Sequence, residues 1–393
     1  MFNEKMQKLG EERSVIREIF EYGNVRKREI GAENVFDFSL GNPNVPAPDC
    51  VREAIVRLTE TLPAETLHGY TSAAGAPEVR KAVADYIGTA FGVPMSADLV
   101  YMTCGAAASL VIVLNALCEA GDEFVAIAPC FPEYRVFTEA AGGKYAEART
   151  DGSFHFDLAA IDRAVGTRTK GVIVNSPNNP TGAVYSEREI EALAALLERK
   201  SKEKGSPIFL IADEPYRELV YGAEAPYLPR YYANTVVCYS FSKSLSLAGE
   251  RIGYIAVNPA CAGARELFSA VCGAGRSLGY VCAPSLFQRV CAECLGKSSD
   301  VAAYRKNRDR LYGALTEYGF DCALPQGAFY LFMKSPEPDA KAFCKRAKEY
   351  ELLLVPSDSF GIEGYVRISY CVSQETIERA LPAFERLAKE YFR

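Results

Sequence analysis

The chain has 393 residues, 49% hydrophobic and 24% charged, with a net charge of -6. That length provides for roughly two to three domains, and the even mixing of acidic and basic residues excludes a nucleic-acid footprint. No apolar stretch reaches membrane-spanning length without a charge or a helix breaker, so no membrane partner is expected. In chain order, 1–45 reads as a helix followed by one strand over 35–40. Short apolar runs rich in β-branched residues, bounded by Gly, Pro, Asp or Ser, predict buried strands at 99–102, 124–128, 171–174, 208–212, 236–239 and 252–257. Helices fall between them, at 109–118 and at 186–204, where Ser186 and Glu189 have capping-box spacing. After about 285 the rhythm changes to helix 301–318, strand 328–333, helix 340–350, strand 365–370 and helix 374–391.

Strands alternating with helices imply an α/β fold, a mostly parallel sheet covered on both faces. The change of rhythm implies a large α/β domain over 46–285 and a smaller α+β domain built from 1–45 together with 286–393. The basic cluster Arg26-Lys27-Arg28 reads as a solvated helix face. Of the thirteen cysteines, Cys291 and Cys294 form one Cys-x-x-Cys on a helix, with no second ligand pair and two histidines in the whole chain. No metal site is expected from that. Thirteen tolerated thiols point to a reducing compartment. With a polar 1–7 lacking an apolar signal core, the expected location is cytoplasmic.

Ligands of open parallel sheets bind beyond the carboxyl ends of the strands, and polar groups gather at those positions here. Cys104-Gly105-Ala106-Ala107-Ala108 sits between a strand and a helix, where orphan backbone N–H groups and the helix dipole favour an anion. Asn175 to Gly182 (Asn-Ser-Pro-Asn-Asn-Pro-Thr-Gly), Asp213-Glu214-Pro215-Tyr216 and Ser240-Phe241-Ser242-Lys243 each follow a strand, and Arg251 comes eight residues after Lys243. A lysine able to hold a carbonyl as a Schiff base, next to groups able to hold an anion, suits covalent amine catalysis on an anionic cofactor. Each motif alone reads equally well as a turn or a helix cap; four on successive strand ends do not. Arg367, in Val366-Arg367-Ile368-Ser369, lies on a strand between apolar neighbours, where an unpaired guanidinium is costly.

With Asn-Pro-Thr-Gly, Asp-Glu-x-Tyr, Ser-x-Ser-Lys and Val-Arg-Ile-Ser in this order, the chain resembles the class I pyridoxal-phosphate aminotransferases of the aspartate aminotransferase superfamily, from Gly41 to the carboxyl terminus. The resemblance implies fold type I, a three-layer large domain with a smaller α+β domain, and pyridoxal 5'-phosphate as cofactor. It implies that Lys243 forms the Schiff base and moves the substrate proton, and that Asp213 pairs with the ring nitrogen. Asn179 and Tyr216 would donate to the cofactor's phenolic oxygen. Phe131 would stack on the ring, a purely apolar face where the family often has Tyr or Trp. Gly105, Ala106, Ala107, Ser240, Ser242 and Arg251 would hold the phosphate, joined by Tyr70 from a partner subunit, which implies a homodimer with shared sites. Arg367 would grip the substrate α-carboxylate as a planar fork, and Gly41 would let backbone approach it.

The implied activity is transfer of an amino group between an L-amino acid (an aspartate, aromatic or alanine-type donor) and a 2-oxo acid such as 2-oxoglutarate. A cysteine-S-conjugate β-lyase or an aminocyclopropane-carboxylate-synthase-like enzyme on the same scaffold is the alternative; a non-catalytic binding protein of aminotransferase-like fold is a remote one. The side-chain subsite stays open. A lysine that reads a distal carboxylate in some relatives is replaced by Ala107. Arg276 of a partner subunit could read a dicarboxylate, or Phe20, Phe329 and Tyr330 could line an apolar pocket.

Overall fold

The computed structural model describes residues 2–11 and 14–392; Met1, Glu12, Arg13 and Arg393 lie outside the described residues. Its central sheet has seven strands in the spatial order Val100–Thr103, Gly253–Val257, Thr235–Ser240, Phe209–Asp213, Thr169–Asn175, Glu123–Ala128 and Lys144–Arg149. The last five run parallel, and Gly253–Val257 runs antiparallel to both of its neighbours. Phe209–Asp213, Thr235–Ser240 and Gly253–Val257 are buried along their whole length, as strands covered on both faces must be. The six expected strands are all present, with ends displaced by a residue or two.

Lys144–Arg149 was not expected as a strand. It lies at the edge of the sheet and carries Lys144, Glu147 and Arg149, charges that an edge tolerates and that break the apolar pattern. The strand expected over 35–40 is only Phe36–Asp37, paired in parallel with Leu352–Leu353. It stops because Asp37 Oδ1 accepts from both the backbone N–H and the hydroxyl of Ser39, which turns the chain. The single amino-terminal helix is two, Glu4–Glu11 and Val15–Ile30, the second started by Ser14 accepting from Arg17 N–H. The capping box at Ser186 and Glu189 is formed, and it opens Glu187–Lys204.

Helix Ala106–Leu117 begins three residues earlier than the apolar pattern suggested, directly after Gly105, whose φ of 91° a side chain would resist. That places the helix amino terminus at the sheet edge carrying Asn175, Asp213 and Ser240. A second sheet, with the order Val355–Pro356, Tyr365–Ser369, Tyr330–Lys334 and Cys322–Ala323, is antiparallel. It shares a separate core with helices Val301–Glu317, Ala340–Lys348 and Gln374–Ala388 through residues such as Leu311, Phe343 and Phe384. Helix Ser285–Glu293, expected with this second unit, instead buries Val290 and Cys291 in the core of the large sheet, against Val51 and Leu58. Among the described residues, no helix is long and apolar enough to cross a membrane.

Candidate active site

Asn175 and Asp213 are register partners at the ends of adjacent strands, and Ser240, which ends the next strand, pairs with Gly253. A cavity of about 280 Å³ opens on this edge between the two sheets. Its walls bring together most of the residues singled out from the sequence: Gly41, Ala106, Ala107, Phe131, Asn179, Asp213, Tyr216, Ser240, Ser242, Lys243, Arg251 and Arg367. Gly105 stands just behind: a Cβ on it would come within 2.9 Å of Arg251 Nη2. Tyr70 is outside the cavity, with its side chain 99% exposed. Arg276 is exposed near the end of helix Ala264–Ser277 and does not reach the cavity of its own chain.

Lys243 donates from Nζ to the carbonyl of Gly41 at 2.6 Å and lies 5.4 Å from the ring of Phe329. Burial pushes its amine down to about 8, and Arg251 and Arg367 add to the effect while Cys371 opposes it. Gly41 has to be glycine, since a Cβ there would collide with the hydroxyl of Tyr330.

Asp213 is 4% exposed. Its Oδ2 accepts from Tyr134 O–H at 2.5 Å, and Oδ1 is buried without a partner. Burial raises its carboxyl to about 7, partly offset by that hydrogen bond. A buried carboxylate with one oxygen unfilled is a seat for a cationic or N–H donor group. Asn175 fastens this turn, donating to the Asp213 carbonyl at 2.9 Å and accepting from Asn179 N–H at 2.7 Å. Behind it, Glu214 and Arg217 form a buried ion pair at 2.9 Å, with Arg217 also donating to the Tyr254 hydroxyl oxygen at 3.0 Å.

The opposite end of the cavity is arranged for an anion. Ser240 O–H donates to Ser242 Oγ at 2.8 Å, and Arg251 Nη1 donates to Ser242 Oγ at 3.3 Å. Arg251 has a φ of 51°, an unfavourable backbone state for a residue with a side chain, retained at this site. The amino-terminal N–H groups of helix Ala106–Leu117 complete the cup.

Arg367, 2% exposed, donates to Asn179 Oδ1 at 3.0 Å and to the Ser39 carbonyl at 2.6 Å, while its Nε is unpaired. Its guanidinium lies over the rings of Tyr330 and Phe360, at 4.6 and 5.1 Å. Burial pushes its pKa down. Because Asn179 accepts with its amide oxygen, the amide nitrogen is the group left to donate. Tyr216 and Tyr330 hydroxyls are 2.8 Å apart, and burial raises both, Tyr330 to about 12.

Tyr134, Asn175, Ile16 and Leu40 were missed as site residues, and Tyr330 carried only an open pocket role. Asn175 begins the Asn-Ser-Pro-Asn-Asn-Pro-Thr-Gly run, so local spacing held a signal for it, whereas Tyr134 meets Asp213 across 79 residues and local spacing held none. Ile16 gave none. Phe20 lies in an adjoining cavity, and Phe329 is buried in the second core.

A buried guanidinium with neutral acceptors and, among the described residues, no carboxylate has the chemistry to receive one. Arg367→Lys should therefore raise KM for amino-acid and 2-oxo-acid substrates alike, by roughly 30-fold or more, because an ammonium cannot reproduce the fork. Unchanged KM values in steady-state kinetics would remove Arg367 from substrate binding.

A family model, aminotransferase class I and II, matches residues 33–384. The aspartate/prephenate aminotransferase of Thermus thermophilus is 32% identical over 380 residues, covering 93% of this chain and 94% of that protein. Among solved structures, an amino transferase from Eubacterium rectale is 53% identical, covers 100% of both chains and superposes with a TM-score of 0.97. The Thermus thermophilus aspartate aminotransferase solved with maleate is 28% identical, covers 98% of this chain and 99% of that one, and has a TM-score of 0.87. In sequence, in fold and in the residues gathered at one sheet edge, the chain belongs to the class I and II aminotransferase family.

Proposed function

We propose that this transaminase uses pyridoxal 5'-phosphate at the cavity around Lys243 to move an amino group between an L-amino acid and a 2-oxo acid. The observation that carries this reading is the pairing of two unmet needs: an unfilled carboxylate oxygen on Asp213 and an unpaired Nε on the buried guanidinium of Arg367, whose other nitrogens meet neutral acceptors. The residues fit the cofactor. Gly105 keeps the anion cup open beside Arg251, and Asp213 Oδ1 has the charge to hold a protonated ring nitrogen. When bound, the cofactor supplies an electron sink for the bond broken at the substrate α-carbon.

Lys243 Nζ takes the proton from that α-carbon, an assignment its lowered pKa favours near neutral pH. Asp213 would keep a proton on the ring nitrogen, and Asn179 and Tyr216 would donate to the phenolic oxygen. Gly105, Ala106, Ala107, Ser240, Ser242 and Arg251 would hold the phosphate; Phe131 would cover one face of the ring; Gly41 and Arg367 would receive the substrate carboxylate. The two half-reactions use the same groups in turn, a ping-pong scheme. Exposure of Tyr70 supports its reaching a second copy's phosphate cup, hence a homodimer. Thirteen free cysteines support a cytoplasmic location. The two-domain division belongs to this proposal too, with its later boundary moved past helix Ser285–Glu293.

Holoenzyme given an L-amino acid and no acceptor should form one 2-oxo acid per site, release no ammonia, and pass the retained amino group to 2-oxoglutarate added later. Continuous release of ammonia without an acceptor would replace transamination by elimination.

A further inference from the structure

A second cavity adjoins the one at Lys243. Ile16, Leu40 and Phe131 line it and also line a second cavity of about 860 Å³ beneath the helix Val15–Ile30. Beyond these shared residues, Phe20 and Val136 continue an apolar wall. Among the described residues, the charged groups lining the second cavity are Arg17 and Glu133, of opposite sign. In the first cavity the cations are Lys243, Arg251 and Arg367, each already engaged by the proposed chemistry, and Ala107 offers none. A second substrate carboxylate turned toward Leu40 and Phe131 would lose water against apolar walls, and the cation among the described lining residues beyond them, Arg17, shares its cavity with the carboxylate of Glu133, whereas an apolar side chain would gain from the same walls.

We infer that the substrate side chain passes between Ile16, Leu40 and Phe131 into the second cavity, and that the preferred amino donors carry large apolar or aromatic side chains. Ile16 and Phe20 are then specificity-determining residues. The inference rests on the aminotransferase reading of the site. It separates this chain from the substrate in the names of its Thermus relatives, since the walls differ in kind from what a dicarboxylate needs.

The test compares kcat/KM of the holoenzyme for L-phenylalanine, L-leucine, L-alanine and L-aspartate with one 2-oxo acid acceptor. Phenylalanine and leucine should exceed aspartate by about 10-fold or more, the usual scale of discrimination by an apolar subsite. In Phe20→Ser the phenylalanine-to-alanine ratio should fall by about 10-fold. A separate binding measurement on wild-type holoenzyme by calorimetry should find hydrocinnamate bound more tightly than succinate. Aspartate equal to or better than phenylalanine, an unchanged ratio in Phe20→Ser, or tighter succinate would each overturn the inference. So would a loss confined to aspartate in Arg17→Ala with aspartate the best donor, which would make Arg17 a carboxylate reader. If none of the four donors yields its amino group, the transaminase reading itself falls, a result distinct from a reversed ranking.

Discussion

Lys243→Ala should lower transamination by at least about 10⁴-fold and leave a protein without the visible absorbance of lysine-bound cofactor. The magnitude follows from the loss of a positioned general base, typically worth about 10² to 10⁴, together with the covalent anchor. The amine is suited to that work by its surroundings. Burial holds it at about 8, so a useful fraction is uncharged near neutral pH, and the Gly41 carbonyl fixes it at 2.6 Å. Difference spectroscopy on added cofactor and a single-turnover assay check the two halves of the claim. A wild-type protein that stays colourless with cofactor would refute it, as would a variant that keeps wild-type turnover.

Asp213→Asn is expected to move activity and apoprotein stability in opposite directions. An amide cannot hold a protonated ring nitrogen by charge, and removing one partner of a buried ion pair costs roughly 2–5 kcal/mol, so kcat should fall roughly 10²- to 10³-fold. Stability follows from proton linkage. The folded carboxyl titrates at about 7 against an ordinary 3.8, so between those values the folded apoprotein binds a proton that the unfolded chain has released. Its stability therefore falls as pH rises through that window, and above pH 7 the charged, cofactor-free Asp213 costs about 4 kcal/mol. The uncharged amide of the variant carries no such cost. Thermal melts of the two apoproteins should separate above pH 7, with the variant the more stable, and converge near pH 4. Glu214, also raised to about 7 by burial, bends both curves, and the variant relieves it of the Asp213 charge that adds to its shift, which widens the difference in the same direction. Equal melting at pH 8 would mean that Asp213 is not strained in the empty site.

Why some of this was legible in the linear chain and some was not follows from geometry. Lys243, Asp213 and Asn179 follow buried strands whose apolar runs are unmistakable, and parallel pairing then brings those strand ends to one edge without further information; Gly105 reaches the same edge across the antiparallel strand Gly253–Val257. The edge strand Lys144–Arg149 was illegible because an edge permits the charges that hide it. Tyr134 meets Asp213 across 79 residues of sequence, and Tyr330 meets Tyr216 across 114. Contacts of that separation are set by how the helices and the second sheet pack, not by local spacing. Ile16 and Leu40 reach the cavity because Ser14 starts a new helix and Asp37 ends a strand, two small side-chain hydrogen bonds that periodicity does not register.

Arg367, enclosed by Tyr330 and Phe360 with no carboxylate partner among the described residues, has a practical consequence at the bench. Acetate, citrate and similar carboxylate buffers are not inert toward such a protein. They offer the guanidinium the partner it lacks, so they should protect the fold by mass action and, if Arg367 receives the substrate carboxylate as proposed, compete with substrate in rate measurements.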